Sequence, residues 1–372
     1  RKLSQSKPQL SLHNHVVRKQ NRITQMKLKF ILTGIFITFL STLTAQENLD
    51  VKVDHRMEAL SIFYTLATVD TMDIKPTPSN YYKDFKTYFE PYKNHKALNW
   101  YRNLESWDGY DIASLGLFLS EDYPFKIKVK PEVNYIRSTS KDTFLYHFNK
   151  FYKDCKVKKF IKKHEKLYKS VCESAKDSVK KSGILNEIQS FYGKSAKGKF
   201  VIYIDLLNNM GNNAIPSNDA IFNDSRMFRL AYLNDEDKNL TDESPVMFTP
   251  HLNVVTHEIS HLFVQDFLQN YKNDLSKIKT LFLTTSKGEE LDESNWENEL
   301  DELIVRVCTA RILEQKFGKE EGLKEVENQS RHFKLAIPLY DFFENYILRR
   351  DKYKSITDLY PKIMEYLKTY EE

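Results

Sequence analysis

From about residue 54 to 195, apolar side chains recur at three- and four-residue spacings among abundant lysines, which predicts helices that each bury one face. The longest such stretch, residues 150 to 181, sets Phe151, Cys155, Phe160, Leu167, Val171 and Val179 on an amphipathic pattern whose lysines read as a solvated face. The period then changes. Residues 200 to 207 run Phe-Val-Ile-Tyr-Ile-Asp-Leu-Leu and stop at the Asn- and Gly-rich residues 208 to 213, which predicts a strand followed by a turn. Two shorter apolar runs, 227 to 233 and 246 to 249, extend this into a small sheet. After Pro250 the helical period returns and holds to the end, with Thr249 placed as an N-cap and Pro250 in the first turn. The pattern predicts an α+β fold, mostly α-helical, with a small β-sheet preceding the helix that begins after Pro250. Residues 46–195 form a helical amino-terminal part that reads as continuous with residues 196–372 in one domain.

Composition narrows the class. A chain of 372 residues, 41% hydrophobic and 13% aromatic, can bury a large core, which excludes a disordered tail protein, a collagen-like chain and a disulfide-knotted miniprotein. Its 10 glycines and 11 prolines are too few for a many-stranded barrel full of tight turns. The net charge of +5 suggests nucleic acid only until it is located. Residues 1 to 45 carry eight basic side chains and no acid, which leaves 48 basic against 51 acidic in the remainder, so no nucleic-acid partner is expected.

Residues 1–25 show no periodicity and read as a non-structural upstream segment. From Met26, two lysines, the apolar run of residues 30 to 40 and the small residues before Gln46 predict a signal peptide over 26–45, cleaved after Ala45. The apolar stretch, about 16 residues, falls short of the roughly 20 that span a bilayer. The expectation is an exported protein, periplasmic or secreted, with no stable membrane span after cleavage. Of Cys155, Cys172 and Cys308, only the first two lie close enough in sequence to suggest a bridge, and three unpaired thiols is the simpler reading.

The candidate chemistry lies in Val254-Val-Thr-His-Glu-Ile-Ser-His-Leu-Phe263. His257 and His261 stand one helical turn apart on one face and can share a metal ion, and Glu258 beside the first can reach a water on that ion. A chance match to this HExxH spacing is on the order of 2% for a chain of this composition. A catalytic zinc needs a third protein ligand and an open position, and residues 296 to 311 offer the candidates. Leu303 to Ala310 carries one charge, Arg306, and reads as a buried helix. Glu302 and Arg306, at i and i+4, place a carboxylate toward the metal with an arginine that holds it or meets substrate. Glu297 competes, because Glu297 and Asp301 make an ExxxD spacing in which the aspartate supports a ligand histidine. Spacing alone leaves both open.

These two segments carry a resemblance. The chain resembles a family of exported proteins from Bacteroidetes known only as a domain of unknown function, of the gluzincin type of zinc peptidase. Trp296, Glu302, Val305, Arg306, Thr309 and Arg311 fit the family pattern, and Asp301 stands where that pattern has Asn. The resemblance covers most of residues 190 to 370 and the amino-terminal half only loosely. It implies a zincin-like fold and a Zn2+ site of His257, His261 and Glu302. The expected function is hydrolysis of a peptide or protein substrate by a metal-activated water, with Glu258 as the proton carrier. A substrate strand would pair with residues 200 to 207 or 246 to 249. His251, Arg306, His332 and Tyr340 are candidate donors to the transition state, and residues 150 to 181 are a candidate cover of the cleft. The alternative is a non-catalytic exported binding or surface protein that keeps the zincin-like fold.

Overall fold

The computed structural model describes residues 49–70, 75–193, 198–233 and 239–370; the predicted signal peptide, residues 26–45, lies outside them, as do residues 1–25. Four strands form one mixed sheet in the order β1-β2-β4-β3, where β1 is Leu49–Lys52, β2 Phe200–Asp205, β3 Asn213–Ile215 and β4 Arg226–Ala231. The first three in that order are parallel, with Val51 opposite Ile202 and Ile202 opposite Phe228. β3 runs antiparallel to β4, with Ala214 opposite Phe228. Every residue of β2 is buried, as a central strand covered on both faces requires, and its sequence is accordingly one unbroken apolar run apart from its last residue. β1 belongs to the amino-terminal part, so a single sheet draws on both parts of the chain.

Two of the expected strands are present as β2 and β4, but residues 246 to 249 form none. Pro245 and Pro250 bracket that segment, and the Met247 N–H donates to the Tyr232 hydroxyl (3.0 Å) instead of to a neighbouring strand. β1 and β3, four and three residues long, carry too short a pattern to be read from sequence.

Seven helices described before β2 are α1 His55–Thr68, α2 Asn80–Phe89, α3 Lys96–Arg102, α4 Lys141–Asp154, α5 Val157–Lys163, α6 Glu165–Ser182 and α7 Ile184–Tyr192. Five follow β4: α8 Leu252–Leu275, α9 Trp296–Phe317, α10 Lys319–Ser330, α11 Ala336–Leu348 and α12 Ile356–Lys368. Side-chain caps start several of them, with Asp54 accepting from the Arg56 N–H (2.9 Å), Ser79 from Tyr82 (3.2 Å) and Ser140 from Thr143 (3.2 Å). Residues 150 to 181 are not one helix but parts of three, because Lys156 at φ 55° turns the chain between α4 and α5. Lys158, Lys159, Lys162 and Lys163 are exposed, as the pattern predicts. Gly193 ends α7 at φ +63°, where an added Cβ would sit 1.9 Å from the Lys354 carbonyl, so only glycine fits. All three cysteines are free. Among the described residues no helix is long and apolar enough to cross a membrane.

The start of α8 differs from the expectation. Its N-cap is His251 rather than Thr249, because the His251 carbonyl accepts the first helical bond, from Val255 N–H at 3.0 Å. α8 packs on β3 and β4 and against α9, which in turn touches α10 and α11. From Leu303 to Leu313 every residue of α9 except Arg306 is buried, consistent with the apolar residues spread round that helix.

Candidate metal centre

α8 buries Val255, Ile259, Val264 and Phe267 in the core. Thr256 and Ser260 are also fully buried, and their hydroxyls donate back to the Leu252 and Thr256 carbonyls, each at 2.7 Å, so no polar group is stranded. The remaining face, with His257, Glu258 and His261, looks into an open cleft of about 520 Å³. α9 brings Asp301, Glu302 and Arg306 to the same cleft, and α10 brings Glu325 and Gln329. The opposite wall is Tyr110, from a 3-10 segment at Tyr110–Phe118, together with residues 211 to 214 leading into and along β3.

The Nε2 atoms of His257 and His261 are 3.2 Å apart. Glu302 completes the triangle, with Oε2 at 3.5 Å from His257 Nε2 and Oε1 at 3.5 Å from His261 Nε2. Ligands held 2.0–2.1 Å from a tetrahedral zinc stand about 3.3–3.4 Å from each other, so the three groups have the spacing of one face of that tetrahedron. His261 Nδ1 donates to Asp301 Oδ2 at 2.6 Å, which leaves the lone pair on Nε2, facing the other two ligands. Glu302 Oε2 is buried and, among the described residues, receives no hydrogen bond; Arg306 Nη2 lies 3.0 Å away as a charge contact without hydrogen-bond alignment. A buried carboxylate oxygen left in this state fits a position reserved for a cation.

The electrostatics differ between the two histidines. Burial, then the positive charges of His261 and Arg306, hold the His257 imidazole well below its ordinary pKa, so it stays neutral and can donate a lone pair. Burial opposes the charging of His261 too, yet the Asp301 hydrogen bond and the charges of Asp301, Glu302 and Glu258 outweigh it and raise its pKa. Glu258 is 5% exposed. Burial pushes its carboxyl up to about 7, with His261 pulling it down and Glu302 pushing it up.

The second helix brings Asp301 and Glu302, but not Glu297, to the site. Glu302 faces the histidine pair, Asp301 holds His261, and Glu297 points elsewhere, paired with Lys272 at 2.8 Å on the surface. Arg306 approaches Glu302 and donates from Nη1 to Gln329 Oε1 at 2.7 Å, which gives it the holding role of the two expected. The other candidate donors lie outside the cleft lining. His251 caps α8, His332 pairs with Glu299 at 3.1 Å, and Tyr340 donates to Glu314 at 2.7 Å beneath the Arg311 guanidinium. No residue from 150 to 181 lines the cleft.

Sequence reading missed Tyr110, Glu325 and the 211–214 wall. One signal for that wall was available: Asp205 and Arg229 are charges inside apolar strand runs, and buried charges need partners. Arg229 is fully buried, donating from Nη1 to Asp205 Oδ2 (2.6 Å) and from Nε to Asn213 Oδ1 (2.9 Å). Ser61 from α1 also donates to Asp205 Oδ2 (2.7 Å).

Fold and site together define an α+β protein with a candidate divalent-metal centre of two histidines and a glutamate. The chain belongs to the family described as Domain of unknown function (DUF4932), whose model matches residues 57–366. The match takes in the amino-terminal half, where the resemblance was expected to be loose. No curated protein and no solved structure matches the chain.

Proposed function

We propose that this protein is a zinc-dependent metallopeptidase of the gluzincin type, with His257, His261 and Glu302 as metal ligands and Glu258 as the residue that moves the proton. The observation that carries this reading is the convergence of the three ligand atoms, 3.2 to 3.5 Å apart, beside a buried carboxyl. A zinc ion bound there supplies Lewis acidity toward water and toward a peptide carbonyl. Glu258, buried beside the ligand set, is placed to accept a proton from water and to return it to a leaving amine. Asp301 fixes the His261 ring, and Arg306 restrains the Glu302 carboxylate.

The expected strand partner for substrate changes. β2 is flanked by β1 and β4 and has no free edge, whereas β3 is an edge strand on the cleft wall. An extended peptide added to β3 would lie across the face of α8 that carries the histidines. That antiparallel edge strand in front of the histidine helix supports a zincin-like architecture. The leader pattern over 26–45 supports export, with cleavage after Ala45 as the expected product terminus.

Elemental analysis of the purified chain beside His257→Ala, Glu302→Ala and Glu297→Ala tests the reading. About one zinc per chain is expected, lost in the first two variants and kept in the third. Absence of stoichiometric metal after zinc reconstitution would overturn it in favour of a binding protein.

A further inference from the structure

We infer that Glu325 and the two amides beside it form a subsite for a cationic group, an ammonium or guanidinium, next to the metal centre. That the cation belongs to a peptide rests on the peptidase reading; the subsite itself does not.

A row of polar contacts runs along the wall from the ligand set. Glu302 Oε2 lies 3.0 Å from Arg306 Nη2, and Arg306 Nη1 donates to Gln329 Oε1 at 2.7 Å. Gln329 Nε2 then donates to Glu325 Oε1 at 2.8 Å, while Asn253 Nδ2 reaches Glu325 Oε2 at 3.5 Å. The Gln329 amide therefore stands between Arg306 and Glu325. Both terminal nitrogens of Arg306 are engaged, and among the described residues no other lysine or arginine lines the cleft.

Among the described residues four carboxylates line the cleft: Glu258, Asp301, Glu302 and Glu325. Asp301 faces His261, Glu302 faces Arg306 and the histidines, and Glu258 is buried in the role of base. Among the described residues Glu325 meets only neutral amides. A carboxylate offers about four acceptor positions, and the amides use one on each oxygen, so each oxygen keeps room for a further donor. A substrate cation would take up such a position through a charge-assisted hydrogen bond, the stronger kind.

Three peptides test this: acetyl-Ala-Ala-Lys-Ala-amide, its norleucine analogue, and the norleucine analogue with a free amino terminus. Each is titrated calorimetrically into the chain carrying Glu258→Gln, so that nothing turns over, both as purified and after zinc addition. The lysine peptide is expected to bind about tenfold more tightly than its acetylated norleucine analogue. Adding Glu325→Gln should abolish that preference and Glu325→Asp should keep part of it. A preference for the free-terminus peptide that disappears with Glu325→Gln supports the subsite and assigns the cation to a chain terminus. Equal affinities, no binding by any of the three, or a preference untouched by Glu325→Gln overturns the subsite. Metal content of the same samples separates the two ideas: zinc bound without cation preference sinks the subsite alone, and cation preference without zinc sinks the peptidase reading alone.

Discussion

The two walls of the cleft are built in opposite ways. The wall of α8 and α9 takes its chemistry from residues one helical turn apart, His257 with His261 and Glu302 with Arg306, so its geometry is local in the chain. The facing wall sets Tyr110 and residues 211 to 214 over a buried Asp205–Arg229 pair, drawing on a 3-10 segment, a loop and three strands in the order β2-β4-β3. A helix pair can hold reacting groups in place by its own backbone, whereas a wall assembled through a sheet needs a buried polar anchor. Arg229 is that anchor. The comparison predicts that chemistry and metal binding respond to changes in the first wall, and stability and substrate fit to changes in the second.

The largest expected effect is on turnover. Glu258→Gln should lower peptide hydrolysis by about 10²–10⁴-fold with zinc content unchanged, measured by assay and elemental analysis on one sample. A parallel loss of zinc would move Glu258 into the ligand set. On the other wall, Arg229→Met strips Asp205 of its charge partner, and the unpaired buried carboxylate should cost about 3–5 kcal/mol in denaturant unfolding. Zinc stoichiometry should survive; its loss would mean that the walls are not separable.

A smaller effect belongs to the support of His261. Asp301→Asn keeps an oxygen for the Nδ1–H but removes the charge, so zinc affinity should fall about 10- to 100-fold in a chelator competition while the unfolding free energy hardly changes. An affinity equal to that of the unmodified chain would show that the hydrogen bond alone positions the ring.

This division also explains what the sequence made legible. The histidine pair, Glu302 and Arg306 were readable because a period of 3.6 residues places i and i+4 on one face whatever the tertiary fold. The choice between Glu297 and Glu302 was not, because both lie on the same helix and only its rotation against α8 turns one outward to Lys272. β2 and β4 were readable as apolar runs, while β3, three residues inside an Asn-rich stretch, gave no signal and yet is the strand that faces the cleft. His332 and Tyr340 looked like donors by residue type, and packing instead directs them to Glu299 and Glu314.

The ground beneath the second wall has its own pH dependence. Glu58 in α1 is 2% exposed and accepts from the Tyr81 hydroxyl. Burial first, and the charge of Asp205 next, push its carboxyl from 4.5 up to about 8. The folded chain therefore keeps a proton that the unfolded chain releases. The stability this contributes is complete below pH 4.5 and is lost as pH rises toward about 8. Melting temperature should fall by several degrees between pH 5 and 8. Glu258 on the helical wall, raised to about 7, adds a fall of the same sign, so Glu58→Gln should remove only part of the slope, and a slope left whole would mean that Glu58 is not among the acids that stability senses.

The finest probe of the comparison is Gly211→Ala. A Cβ at Gly211 would stand 2.8 Å from Tyr110 Cζ and 2.9 Å from its hydroxyl, both at the far end of a side chain that can swing. The cost in stability should therefore stay within about 1 kcal/mol. The displaced ring sits on the cleft wall, so substrate fit should suffer where folding does not. KM for a peptide is expected to rise with kcat and zinc content unchanged, the pattern of lost uniform binding. A fall in kcat at constant KM would instead place the Tyr110 hydroxyl among the groups that meet the transition state, and the second wall would then share in the chemistry assigned to the first.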